Sequence, residues 1–299
     1  MAAVLFGTAG TAQALGPDAA TPLGVGAERI AVGTVVLWLA IAIAGPSLAE
    51  ISVAVTAHWR LMLVGGVGVA VYTPAFLLAV DRTGVAIGTI VAVGVGPFCA
   101  GAMEWAWRAV RPSRAWFVGT LVTVAGGVLL VASKSSETLA VDAAGAVDGI
   151  GLVLALAAGA GYALYSVTAR STMSSGVVPT LALAAPFTVG SIVVMVFAVR
   201  EPFGWIATGD GALMALHLGI AATGLAYLLF GYGLHRLTSA TTVTLVLAEP
   251  LTATLLATLV LDESISPLGW LGVAAVLLGL FVVGRTAEAS IEPVPHSVG

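Results

Sequence analysis

Polar residues are sparse along this chain and fall in short clusters, separated by apolar runs of nearly constant length. A helix rises about 1.5 Å per residue, so about 20 apolar residues cross a ~30 Å hydrocarbon core. Ten runs match or approach that length: residues 2–15, 24–44, 61–80, 85–103, 115–132, 149–168, 179–199, 211–233, 239–261 and 268–284. Turn residues fill the breaks: Gly16-Pro17-Asp18, Gly45-Pro46-Ser47, Arg111-Pro112-Ser113 and Ser264-Ile265-Ser266-Pro267. The pattern predicts an all-α integral membrane protein of ten transmembrane helices. The first run is short and ends in Ala12-Gln13-Ala14, which resembles a signal-peptide cleavage site. It lacks the basic segment such a peptide needs, so a first membrane helix is the expectation.

A longer polar stretch, 133–148, divides the chain into five-helix units at 1–134 and 149–285. Residues 286–299 are polar and contain proline, and are expected to form a disordered cytoplasmic tail.

Composition sharpens this reading. Of 299 residues, 59% are hydrophobic and 9% charged, against about 25% charged in soluble domains. So few charges cannot cover a water-facing surface, and lipid is the solvent that remains. The 37 glycines suit helices that must approach closely where lipid supplies no hydrophobic drive. A net charge of −4 with 11 Lys and Arg excludes a nucleic-acid surface. One cysteine, Cys99, excludes an intrachain disulfide, and four scattered histidines show no metal-ligand spacing. There is no phosphate loop and no Ser-His-acid constellation, so neither an ATPase, an enzyme nor a cofactor is implied.

The two units echo each other. Pro97 and Pro250 stand 153 positions apart, as do Gly119 and Gly272, and Gly126 and Gly279. Near that offset, FGTAGTAQAL of the first run lies opposite AGAGYALYSV of the sixth. Five crossings per unit turn the second upside down. Such inverted-topology repeats are a common plan of secondary transporters, with the substrate site near the bilayer midplane.

Orientation follows from Lys and Arg near the span ends. With the amino terminus in the cytoplasm, Arg60, Arg108, Arg111, Arg114, Arg170, Arg236 and Arg285 fall inside, and Arg29, Arg82, Lys134 and Arg200 fall outside. Both termini are therefore expected in the cytoplasm. Trp105, Trp107 and Trp116, around one cytoplasmic loop, are expected as interface anchors.

Three stretches carry a family resemblance: GVGAERIAVGTVVLW, AAGAGYALYSVTAR and, most specifically, YLLFGYGLHRLTSATTVTLVLAEPLTATLLATLVLDESISPLGW. They resemble the drug/metabolite transporter superfamily, its ten-helix EamA-type branch, and within it the threonine/homoserine exporters. The sequence departs from that pattern at Phe6-Gly7, at Asp262 and at Glu104, which is displaced upstream. The resemblance implies a secondary transporter of the inner or plasma membrane, exporting amino acids or related small metabolites. Multidrug or sugar-linked cargo is the alternative, with a membrane-embedded enzyme a more distant one. Its partners would be the lipid bilayer, a small-molecule substrate and protons as coupling ion. Related folds act as monomers or homodimers.

Candidate site residues are the polar groups inside spans. Glu249 lies in an otherwise uncharged run, where a carboxylate costs at least a few kcal/mol. It reads equally as a proton or amine ligand and as a structural hydrogen-bond acceptor. Arg29 suits a substrate carboxylate or a snorkelling anchor paired with Glu28. Gln13, Tyr72, Tyr165 and Tyr227, with Tyr162 and Tyr232, suit a polar cavity or interfacial packing. Pro97 and Pro250 are expected to bend their helices.

Overall fold

The computed structural model describes residues 1–134, 148–262 and 264–290. Glu137 and Asp142 of the mid-chain stretch, Glu263 and the tail beyond 290 lie outside the described residues. Among the described residues, ten main helices follow in order: α1 (Ala2–Ala14), α2 (Pro22–Ala44), α3 (Leu48–Gly84), α4 (Ile87–Arg108), α5 (Arg114–Lys134), α6 (Gly149–Ser174), α7 (Pro179–Phe197), α8 (Gly209–Arg236), α9 (Ser239–Val260) and α10 (Pro267–Ser290). From α2 onward each is long and apolar enough to cross a membrane; α1 has 13 residues.

Local chemistry sets the ends. Gly45 takes the left-handed conformation (φ 80°) that closes α2. Ser47 and Glu50 then form a reciprocal capping box that starts α3 at Leu48. This corrects the expected start at 61: helix caps, not apolarity, fix that boundary. Gly84 (φ 78°) breaks α3 from α4. Asp148 caps α6 through the N–H groups of Ile150 and Gly151. The expected disordered tail begins too early, because α10 runs on to Ser290. Ala and Glu in the continuation are good helix formers.

Glycine contacts give the helix directions. A Cβ on Gly279 would lie 2.6 Å from the Gly119 oxygen, and one on Gly126 would lie 2.8 Å from the Gly272 oxygen. Helices α5 and α10 therefore run antiparallel in backbone contact. The 153-residue offset carries Gly119 to Gly272 and Gly126 to Gly279, so one contact maps onto the other. A two-fold relation between the halves explains that exchange. Gly33 of α2 meets Thr223 of α8, and its counterpart contact joins Gly190 of α7 to Val69 of α3. Gly7 of α1 meets Glu249 and Thr252 of α9, as Gly159 of α6 meets Ala92 and Val95 of α4. The fold is thus two five-helix repeats of inverted topology, interleaved through helix pairs that cross between halves.

Large apolar side chains such as Ile43, Phe197, Leu259 and Phe281 point outward, as lipid requires. Trp105 and Trp107 are exposed, in keeping with interface anchors. Trp116 corrects that expectation: it is 5% exposed and packs edge-on against Phe98. Gly101 leaves room for its ring.

Candidate functional site

The interleaved halves leave a central cavity of about 250 Å³. Side chains from seven helices converge on it, among them Phe6 and Gln13 (α1), Arg29 (α2), Tyr72 (α3), Thr89 (α4), Tyr162 (α6), Tyr227 (α8) and Glu249 (α9). A second lobe of about 130 Å³ shares Gln13, Arg29, Tyr72, Tyr162 and Tyr227, and adds Tyr165. That lobe reaches Pro22 at the start of α2, the end where the α1–α2 loop lies.

Glu249 owes its position to a break in α9. The helix is two halves, Ser239–Val246 and Glu249–Val260. Between them Leu247 and Ala248 bond back to Thr244 and Leu245 in tighter turns. Pro250 sits in the first turn of the second half, where its missing N–H costs nothing. Its role as a bend in a continuous helix is thereby corrected: it opens a new half-helix. Pro97 and Pro74 lie within helices. Glu249 stands at the N-terminal end of a mid-membrane half-helix, where the helix dipole favours negative charge. Among the described residues it has no hydrogen-bond or ion-pair partner.

Arg29 does not snorkel. Its Nε donates to Thr223 Oγ1 at 3.2 Å and its Nη2 to the Ala222 oxygen at 3.5 Å. Both acceptors belong to a π-helical stretch of α8, His217–Leu225. Gln13 bonds the Ala9 oxygen of its own helix. The aromatic wall is continuous: Tyr72 lies 5.6 Å from Tyr162, and Tyr227 lies 5.1 Å from Phe6 and 4.5 Å from Phe187. Tyr165 stands 5.4 Å from Phe187. The hydroxyls of Tyr162 and Tyr165 are buried with no partner among the described residues. Tyr232 is elsewhere, exposed and stacked under Arg236. The structure brings together Glu249, Arg29, Gln13, Tyr72, Tyr165 and Tyr227, and leaves Tyr232 out. It contains no group of three or more His, Cys, Asp or Glu able to hold a metal ion among the described residues.

The end of the bundle away from Pro22 is closed by a polar clasp that the sequence did not single out. Glu104 of α4, 1% exposed, accepts from the backbone N–H of Ser239 and Ala240 at 3.0 and 3.1 Å. It pairs with Arg170 Nε of α6 at 3.2 Å. Arg170 also donates to the carbonyls of Leu234 and Leu237 at the α8–α9 turn. The available signal was an acid directly after the fourth apolar run, with an arginine just past the end of the sixth.

An all-helical bundle with lipid-facing sides, an inverted repeat and a polar cavity at its centre defines a membrane transporter. The comparisons agree. The EamA-like transporter family matches residues 149–285. Over 296 residues the chain is 38% identical to the "Uncharacterized transporter YwfM" of Bacillus subtilis (strain 168), covering 97% of this chain and 95% of that one. One solved crystal structure superposes with a TM-score of 0.78 over 96% of both chains at 21% identity, which shows a shared fold. The chain belongs to the EamA-like transporter family.

Proposed function

We propose that the protein is a secondary active transporter of the plasma membrane that exports amino acids or related small metabolites by alternating access. One observation carries this reading: Arg29 and Glu249 line the same cavity without pairing with each other. A guanidinium matches a carboxylate, and a carboxylate at a helix N-terminus matches an ammonium. Two opposite charges held apart suit a zwitterion, with the Tyr72, Tyr162 and Tyr227 rings as apolar walls. The central lobe of about 250 Å³ and the adjoining lobe of about 130 Å³ lie at the low end of the roughly 300–1,000 Å³ typical of ligand pockets. That favours a small metabolite over bulky drugs.

The clasp at Glu104 and Arg170, opposite the Pro22 end, supports an outward-facing state if both termini are cytoplasmic. Protons are the proposed coupling ion. The test is tolerance: overexpression should protect cells against toxic amino-acid analogues. No shift for any member of a broad panel would favour the drug or sugar-linked alternative.

A further inference from the structure

Glu28 is the charged side chain that the substrate cavity leaves unused. It lies in the first half of α2 and is 6% exposed. Both of its carboxylate oxygens are buried without a hydrogen-bond partner among the described residues. The adjacent Arg29 turns to Thr223 and Ala222 instead. Across the helix seam stands Gly219, where a Cβ would lie 3.1 Å from Glu28 Oε1. The carboxyl group is thus pressed against bare backbone of the π-helical stretch His217–Leu225. One turn earlier on α2, Gly24 faces the Trp205 indole, whose Nε1 is also buried and unpartnered.

A carboxylate cannot rest as a bare ion in such a seam; it needs a proton, a cation or a donor. The surroundings supply few rivals. Arg29 is engaged elsewhere, and His217 of α8 bonds Thr8 of α1 at 2.8 Å. Glu201, after α7, accepts from Thr21, and Arg200 is exposed beside it. Asp210 is exposed in the first turn of α8. Tyr72 of α3 lines the cavity; Asp81 and Arg82, at the C-terminal end of α3 on the same side of the bundle as the start of α2, are both exposed, and Arg82 pairs with Asp148. Helices α1 and α7 carry no titratable side chain.

We infer that Glu28 is the proton-carrying site of the transport cycle, distinct from the Arg29–Glu249 cargo site and joined to it through the π-helical stretch of α8. The inference rests on the proposed secondary transport. Residues 28 and 29 grip the same stretch from neighbouring positions. Cargo that draws the Arg29 guanidinium into the cavity releases Thr223 and Ala222. That loosens the seam and opens Glu28 to water. The step moves one proton and no electrons: the carboxyl O–H bond breaks, the proton passes to water and a carboxylate remains. π-Helical stretches are common at sites where such rearrangement is used.

Two measurements on the full chain separate this inference from the transport reading. Infrared difference spectra of the purified protein, titrated from mildly acid to mildly alkaline pH, should contain one carboxyl band that Glu28→Gln removes and Glu28→Asp keeps. In proteoliposomes loaded with a radiolabelled mixture of the common amino acids, Glu28→Gln should cut pH-gradient-driven flux about tenfold or more, as expected for loss of an intramembrane ionisable group. Exchange without a gradient should persist. Titration spectra identical in wild type and Glu28→Gln, or full gradient-driven flux in the variant, would overturn the inference. Wild-type vesicles that move no amino acid would overturn the cargo reading, and the infrared result still decides Glu28.

Discussion

At the scale of single residues, position relative to the cavity decides what a charge does. Arg29 and Glu249 both line it, and each should be read by half of a zwitterion. Arg29→Lys keeps the charge but loses the planar fork, so the apparent KM for a transported amino acid should rise about tenfold. Competition by the deaminated hydroxy acid should weaken equally. Glu249→Gln should weaken the amino acid and leave the hydroxy acid unaffected. Equal loss of both competitors in Glu249→Gln would refute its role as the amine ligand. Glu104 differs, because its partners are protein. Removing one member of a buried, hydrogen-bonded ion pair costs about 3–5 kcal/mol. Glu104→Ala should therefore lower the melting temperature in detergent clearly, whereas Arg82→Ala, at an exposed pair with Asp148, should scarcely move it.

At the scale of elements, glycine spacing matters where backbones touch. Gly126 and Gly127 are adjacent, yet a Cβ on Gly126 would lie 2.6 Å from the Val276 nitrogen, while one on Gly127 meets nothing within 4 Å. Gly126→Ala should reduce the yield of folded protein, and Gly127→Ala should match wild type, by size-exclusion profile in detergent. The start of α6 behaves as an electrostatic cap. The Gly151 N–H above all, with the Ile150 N–H and Arg82, holds the Asp148 carboxyl below its ordinary range, against the opposing effect of burial. Its contribution is present at neutral pH and is lost as pH falls through that lowered value, so protection of the first turn of α6 from hydrogen exchange should fade only in acid. Helix number was legible in the apolar periodicity because lipid imposes length directly. The start of α3 was legible in Ser47 and Glu50, but apolarity alone placed it thirteen residues late. The break in α9 was hidden: Pro250 marks it, yet proline inside an apolar run also occurs in continuous helices, as Pro97 does. The proposed cargo residues stood out as polar groups in apolar runs. Their convergence, and the pairing of Glu104 with Arg170, depend on contacts between distant helices that no local pattern encodes.

At the scale of the whole molecule, the inverted repeat places two versions of one half-fold in opposite orientations, so in the proposed alternating-access cycle the inward-open and outward-open arrangements would be built from equivalent contacts. The chain is not perfectly symmetric, and the asymmetry selects the state seen. A buried clasp holds α4, α6 and the α8–α9 turn together at one end. At the other, α3 and α6 meet through the exposed Arg82–Asp148 pair. In the proposed cycle, weakening the clasp should shift the population toward the state open at that end, and 1.4 kcal/mol of differential stability is worth about tenfold in the ratio. Cys99 is the sole native cysteine, so a Cys99→Ala background gives clean labelling. Thr73→Cys reports on the cavity lobe that reaches Pro22, and Val243→Cys on the lobe lined by the first half of α9. Adding Glu104→Gln should slow maleimide labelling at Thr73→Cys and speed it at Val243→Cys. Parallel changes at both positions would mean general loosening, and no change at either would remove the clasp from the cycle. Only reciprocal change fits two half-folds exchanging access around a fixed central cavity.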